Sequence, residues 1–196
     1  MSRKSKEERR RELLDAARDT FVEKGFQAAT VEDIVNQADV ARGTFYLYFS
    51  DKRAVFEALV DEFLARIGAC VKSIDLSDPA SPAEQLHANI RRIVELALSE
   101  PTIVKLAFYD ATGLDPELDE KLHAFYEGLR TLIAESLEEG QKLGMVRAGD
   151  RRVMVAIGLG GLKEVLVDAV SGHLQPDIDV ITAEIMSFLA GGLLTR

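Results

Sequence analysis

Between Ala41 and Lys52 the chain reads ARGTFYLYFSDK, a stretch dense in side chains that can grip a phosphate or meet a base edge. Arg42 and Tyr46 stand four residues apart, so on a helix they share one face. Phe45 and Phe49 have the same spacing and share the opposite face, which is expected to pack inward. Gly43 has no Cβ and leaves room for the backbone to come close to a phosphate. Aromatics at both Tyr46 and Tyr48 are more than the core of so short a helix needs. A guanidinium and phenols on an outward face are groups for binding a polyanion, and the spacing points to DNA.

Bond-breaking chemistry finds less support. A nucleophile needs Ser or Cys beside a base, and Cys70 lies at the end of an amphipathic stretch with no His near it in sequence. His87, His123 and His173 are too widely spaced for metal-ligand pairing, so no metal is expected. Gly158, Gly160 and Gly161 do not follow a strand and form no phosphate-binding loop. Glu135, Glu138 and Glu139 belong to a solvated helix face. The expectation is a protein that is not an enzyme and needs no cofactor. The alternative is a helical small-molecule-binding adaptor or enzyme without DNA binding.

Charge is divided unevenly along the chain. The net charge of −9 is unlike a DNA binder as a whole, but residues 1–53 hold 11 basic and 10 acidic residues. The remaining 143 residues hold 13 basic and 23 acidic ones, so the excess negative charge lies outside the first quarter. Arg3, Lys4, Lys6, Arg9, Arg10 and Arg11 against Glu7 and Glu8 make a positive arm within the first eleven residues. Such local charge matters because screening cuts off beyond a Debye length of roughly 8–10 Å. With 47% hydrophobic and 29% charged residues the composition is that of an ordinary globular protein. The charged N-terminus lacks an apolar signal core, and the lone Cys70 fits a reducing compartment, so a cytoplasmic location is expected. No apolar run long enough to span a bilayer is present, and no membrane partner is expected.

The elements that must position the Arg42 face are helices. Leu13, Leu14, Ala17 and Phe21 form one stripe of a 3.6-residue period, stopped by Gly25, after which Phe26 can fold back onto the helix. Thr30 caps a second, short helix with Asp33 as its capping-box acid, and Ile34 and Val35 lie on its buried side. The turn Ala38-Asp39-Val40 leads into a third helix expected over 41–49. Ser50 and Asp51 start a fourth, whose stripe of Val55, Phe56, Leu59, Val60, Phe63, Leu64, Ile67 and Val71 is longer than a small head requires. Turn residues fill Ser73–Pro82, and helices are expected over about 83–99, 102–111, 116–143, 150–171 and 177–193. The fold class is all-α, with a three-helix helix-turn-helix head over 1–53 and a larger helical domain over 54–196.

The stretch from ELLDAARDTFVEKGFQAATVEDI through GTFYLYFSDK resembles the N-terminal motif of the TetR family of transcriptional regulators. The resemblance implies that Thr30, Tyr46, Tyr48 and Lys52 contact backbone phosphates. Arg42 and Thr44 would stand at the groove-facing start of the recognition helix, with Gly43 between them. Leu47 would lie near base edges, where an apolar side chain can meet a thymine methyl. Two residues depart from the family pattern. Asp39 replaces a turn glycine but tolerates the left-handed region, and Ala41 replaces a capping Ser or Thr, at a cost of about 0.5–2 kcal/mol.

Helix-turn-helix proteins read near-palindromic sites as two-fold dimers, so an isologous interface is expected. The last two helices are the candidates, because RRVMVAIGLGGLKEVLVDAV is rich in small residues and VITAEIMSFLAGGLL is almost wholly apolar. Ala156, Gly158, Gly160, Gly161, Val165, Ile185, Phe188 and Leu189 are its expected members, and the family resemblance implies that they pair in a four-helix bundle. The resemblance also implies a ligand cavity, for which Phe63, Ile67, His87, Ile90, Leu106, Phe108, Tyr109, Leu122, Phe125, Tyr126 and Leu129 are candidate linings. The stretch LDPELDEKLHAFYEGLRTLIAESLEEGQKLGMV is similar to the subgroup that senses fatty acyl-CoA. Together these features lead to a homodimeric, ligand-responsive regulator, a repressor released from its operator by a small hydrophobic or amphipathic effector.

Overall fold

A computed structural model describes residues 5–105, 107–108, 116–175 and 177–193. Among them the helices are α1 (Lys6–Ala28), α2 (Val31–Gln37), α3 (Arg42–Phe45), α4 (Lys52–Cys70), α5 (Pro82–Ser99), α6 (Pro101–Lys105), α7 (Pro116–Lys142), α8 (Arg151–Ser171) and α9 (Ile178–Leu193). No β-strand occurs among the described residues, and no helix there is long and apolar enough to cross a membrane. The chain separates into two compact units, Met1–Leu64 and Ala65–Arg196, with the boundary inside α4.

In the first unit, α1 opens with a capping box. Ser5 Oγ accepts from the Glu8 N–H at 3.1 Å, and Glu8 reaches back to the Ser5 N–H at 2.6 Å. Leu13, Leu14, Ala17 and Phe21 are buried, as their spacing requires. Gly25 breaks the helical path with φ 74° and ψ 156°, a combination essentially restricted to glycine. Phe26 then turns back so that its ring lies 5.4 Å from Phe21 and 4.6 Å from Phe56. Phe56, Val55, Leu59, Val60 and Phe63 are all buried. The first stretch of α4 is therefore packed into the core of the compact unit that runs to Leu64.

Thr30 and Asp33 form the expected capping box on α2. Asp39 adopts φ 50°, as a residue standing in for a turn glycine must. Ala41 occupies the N-cap of α3 with no side-chain hydrogen bond. The helix expected over 41–49 is only Arg42–Phe45. Beyond it the backbone bonds are tight turns, Leu47 N–H to Thr44 O at 3.2 Å and Tyr48 N–H to Phe45 O at 2.9 Å.

In the second unit, Ser81 and Glu84 make a third capping box at the start of α5, with Pro82 pre-set for the first helical position. Asp150 caps α8 by accepting from the Arg152 and Val153 N–H groups, and Gly172 ends it in the left-handed conformation. α5 packs against α8 and α9, while α6 and α7 also pack on α8. The helix expected over 102–111 begins as α6; Leu106 and 109–111 lie outside the described residues.

Candidate nucleic-acid interface and internal cavity

The head presents the end of its helix-turn-helix as a polar and aromatic surface. Phe45 is fully buried, Phe49 nearly so, and their rings lie 5.9 Å apart, which fixes the opposite side of α3 outward. Arg42, Gly43, Tyr46 and Leu47 are exposed, Leu47 to 76%; Thr44 and Tyr48 are half-buried. Arg42 Nη2 donates to the Tyr46 hydroxyl at 3.3 Å, and its guanidinium carbon lies 5.8 Å from the centre of that ring. The hydrogen bond to Tyr46, and Glu32 3.8 Å away, raise the Arg42 pKa. The guanidinium is thus held over the surface as a permanent cation. A Cβ built on Gly43 would meet nothing within 4 Å, and its backbone does not require glycine. The head itself makes no demand for a missing side chain there.

Two expected phosphate ligands are occupied within the protein. Thr30 uses its N–H and its hydroxyl proton on Asp33 Oδ2, at 3.0 and 2.7 Å. Lys24 Nζ holds the same carboxylate at 2.7 Å. The Lys24 bond and then the Thr30 bonds lower the Asp33 pKa to about 2, so a fixed negative charge sits against Thr30. Lys52 departs further from expectation. Its ammonium donates to the carbonyls of Phe26, Gln27 and Ala29 at 2.6, 3.2 and 2.7 Å and lies 4.6 Å from the centre of the Phe26 ring. All three protons are spent on the chain after Gly25, so Lys52 braces α4 against the end of α1 and has none left for a phosphate. The sequence offered no sign of this, because the carbonyls are 23 to 26 residues away. The basic arm is also partly engaged: Arg9 pairs with Glu12, and Arg10 with Glu62 while lying 5.5 Å over Phe49. Arg3 and Lys4 lie outside the described residues.

The second unit contains a partly open cavity of about 790 Å³. Ile67 and Val71 line it from the end of α4, Ile90 and Ile93 from α5, and Phe125, Tyr126, Leu129 and Ile133 from α7. Met154, Gly158, Leu159 and Leu162 of α8, Ile185, Met186 and Leu189 of α9 and Phe108 also line it, with Lys72, Glu135, Glu139 and Lys163 as charged members of a mainly apolar wall. The size and apolar character suit a small-molecule site. Burial pushes the Tyr126 phenol up to about 12, and its oxygen has no hydrogen-bond partner among the described residues.

Several expected lining residues stand elsewhere. Phe63 is buried in the first unit as head core, and His87 is exposed on α5, on the side away from the wall formed by Leu86, Asn89 and Ile90. Leu122 is buried without reaching the cavity. Leu106 and Tyr109 lie outside the described residues. The residues expected at a dimer interface also divide. Ala156, Gly160, Gly161 and Phe188 are exposed, and Val165 is half-buried. Gly158, Ile185 and Leu189 line the cavity instead. Val153, Ile157 and Val180 are more than half exposed on α8 and α9, as is Phe188 at 67%. The i, i+4 spacing of Val153 and Ile157 is legible in the sequence, but a helix apolar all round does not reveal which stripe faces in.

Residues 13–59 match the family described as bacterial regulatory proteins, tetR family, and residues 79–166 match the tetracyclin repressor-like C-terminal domain. The chain is 27% identical over 192 residues to the HTH-type transcriptional regulator YdgC of Bacillus subtilis, covering 96% of this chain and 94% of that protein. It is 24% identical to the fatty acid metabolism regulator protein of the same organism, covering 97% and 98% of the two chains. Among solved structures, the fatty acid degradation regulator FadR of Bacillus halodurans shares the fold with a TM-score of 0.75 at 24% identity over the whole of both chains. FadR of Bacillus subtilis, solved in complex with stearoyl-CoA, does so with a TM-score of 0.74 at 24% identity, over 93% of this chain and 98% of that one. With matches in both the helix-turn-helix head and the helical second unit, this chain belongs to the TetR family of transcriptional regulators.

Proposed function

We propose that this regulator is a cytoplasmic homodimer that represses transcription from a near-palindromic operator and is released by a fatty acyl-CoA. The observation that carries the effector class is the cavity: about 790 Å³, walled mainly by aliphatic and aromatic side chains, with no charged group on its α4 and α9 walls. Burial of a long acyl chain there contributes about 0.8 kcal/mol per methylene. The regulator solved with stearoyl-CoA shares the fold, which supports the same ligand class here. For DNA, the support is the outward face of Arg42, Gly43, Thr44, Tyr46, Leu47 and Tyr48. Gly43 carries weight in this reading, since neither packing nor backbone conformation within the head explains it. For assembly, the support is the outer apolar side of α8 and α9, with Val153, Ile157, Val180 and Phe188 exposed in the single chain.

An effector that binds the dimer better in a form that does not fit the operator shifts the population by its differential affinity. Native mass spectrometry with stearoyl-CoA, followed by operator titration, tests this. The expected result is a dimer that takes up one stearoyl-CoA per subunit and then binds operator about 5–150-fold more weakly. Phe188→Glu is expected to yield monomers by placing a charge in the interface. A wild-type monomer overturns the assembly reading, and tight stearoyl-CoA binding with unchanged operator affinity overturns the effector reading.

A further inference from the structure

The cavity wall contains a buried polar residue whose hydrogen bonds all serve the end of one helix. Asn89 of α5 is only 6% exposed and lines the cavity beside Ile90 and Val71. Its Nδ2 donates to the Lys72 carbonyl at 2.8 Å, and its Oδ1 accepts from the Lys72 N–H at 3.2 Å. The side-chain amide therefore grips both sides of the Lys72 residue, two positions past the end of α4. One turn along α5, Arg92 donates through Nε and Nη2 to the Cys70 carbonyl at 3.3 and 3.1 Å, and through Nη2 to Asn89 Oδ1. Arg92 so caps the last carbonyl of α4, which has no partner within its own helix. The Cys70 thiol completes the junction by approaching the Arg92 carbonyl at 3.8 Å.

The grip depends on where the chain lies just past α4. Held, the Asn89 amide is satisfied by the Lys72 backbone. If the chain slides by part of a turn, both bonds to Lys72 break together, and the buried Asn89 Nδ2 loses its acceptor. The same short segment, Ile67, Val71 and Lys72, touches the cavity directly. An occupant that presses on Val71, or that brings a carbonyl or amide to Asn89, acts on the grip itself.

We propose that Asn89 and Arg92 form a latch on the end of α4, and that these two positioning residues convert cavity occupancy into a change in operator affinity. The inference rests on the cavity being the effector site. Arg92 stands outside the cavity wall that holds the occupant, so occupancy and coupling are separable by substitution at that residue.

The test uses the full-length wild type, Asn89→Leu and Arg92→Met, with stearoyl-CoA as the probe and an operator duplex selected from a random library by the wild type. Asn89→Leu keeps the side-chain volume and removes the amide; Arg92→Met keeps the stem and removes the cap. Arg92→Met, which lies outside the cavity wall, is expected to bind stearoyl-CoA within about threefold of wild type, while in both variants the effect of stearoyl-CoA on operator binding falls from about tenfold or more to below about threefold. Hydrogen exchange gives a second readout. Peptides covering residues 70–74 are expected to exchange faster in wild type once stearoyl-CoA is bound, and in Asn89→Leu with or without it. A variant that keeps the full tenfold effect overturns the latch, as does unchanged protection of residues 70–74 in loaded wild type. Should Asn89→Leu fail to fold, Arg92→Met and the wild-type exchange experiment decide alone. A wild type whose operator affinity ignores bound stearoyl-CoA removes the effector reading first and the latch with it.

Discussion

Replacing Lys52 with Met separates a structural brace from a DNA contact. The ammonium makes two part-buried bonds, at 2.6 Å to Phe26 O and 2.7 Å to Ala29 O, plus a longer exposed one to Gln27 O. At about 1.5 kcal/mol for each of the two shorter charge-assisted bonds, and about 0.5 kcal/mol for the Phe26 ring, the loss is roughly 3.5 kcal/mol. Water returning to the freed carbonyls reduces it to about 2–3 kcal/mol. For a chain of this size that lowers the melting temperature by roughly 5–10 °C, measurable by calorimetry. A phosphate contact would leave a different mark, lowering the slope of log affinity against log salt by about 0.9 per subunit. The brace predicts a large fall in melting temperature and an unchanged slope for whatever fraction remains folded. A Lys52→Met protein that melts like wild type but loses that slope would refute the reasoning and return Lys52 to the phosphate set.

Other substitutions test the head and the cavity. Ala41→Ser supplies the cap that α3 lacks and is expected to stabilise the protein by about 0.5–1 kcal/mol in urea unfolding; no gain would mean that the turns after Phe45, not the missing cap, limit α3. Tyr126→Phe removes a buried hydroxyl without a partner among the described residues, so stability should stay level or rise by about 1 kcal/mol, and a clear loss would contradict that assignment. Asp33 is held near pKa 2 in the folded head, against an ordinary 3.8. Because the folded value is depressed, its stabilisation is present above about pH 4 and fades as pH falls through 2. Acid unfolding followed by circular dichroism should show wild type and Asp33→Asn diverging above pH 4 and converging near pH 2.

Helix boundaries were largely legible because caps and stops act within a few residues. Gly25, the Thr30–Asp33 pair, Pro116 and the glycine after Ser171 mark ends that depend on local backbone conformation and local donors. The stripe from Val55 to Ile67 announced a buried helix for the same reason, since periodicity needs no knowledge of what lies opposite. Even Asp39 at φ 50° followed from the residue and its turn.

What the sequence determined by itself was the succession of helices, the inward Phe45 and Phe49, and hence the outward Arg42 and Tyr46. Only the tertiary structure decided which apolar side of α8 and α9 walls a cavity, that Phe63 is head core, and that His87 faces solvent. It also set the partners of the long polar side chains: Lys52 with carbonyls near Gly25, and Asn89 and Arg92 with the end of α4. The physical reason is range. Caps, turns and periodicity are fixed by neighbours a few residues apart, whereas the partner of a buried donor is whichever acceptor the fold carries to within 3 Å of it.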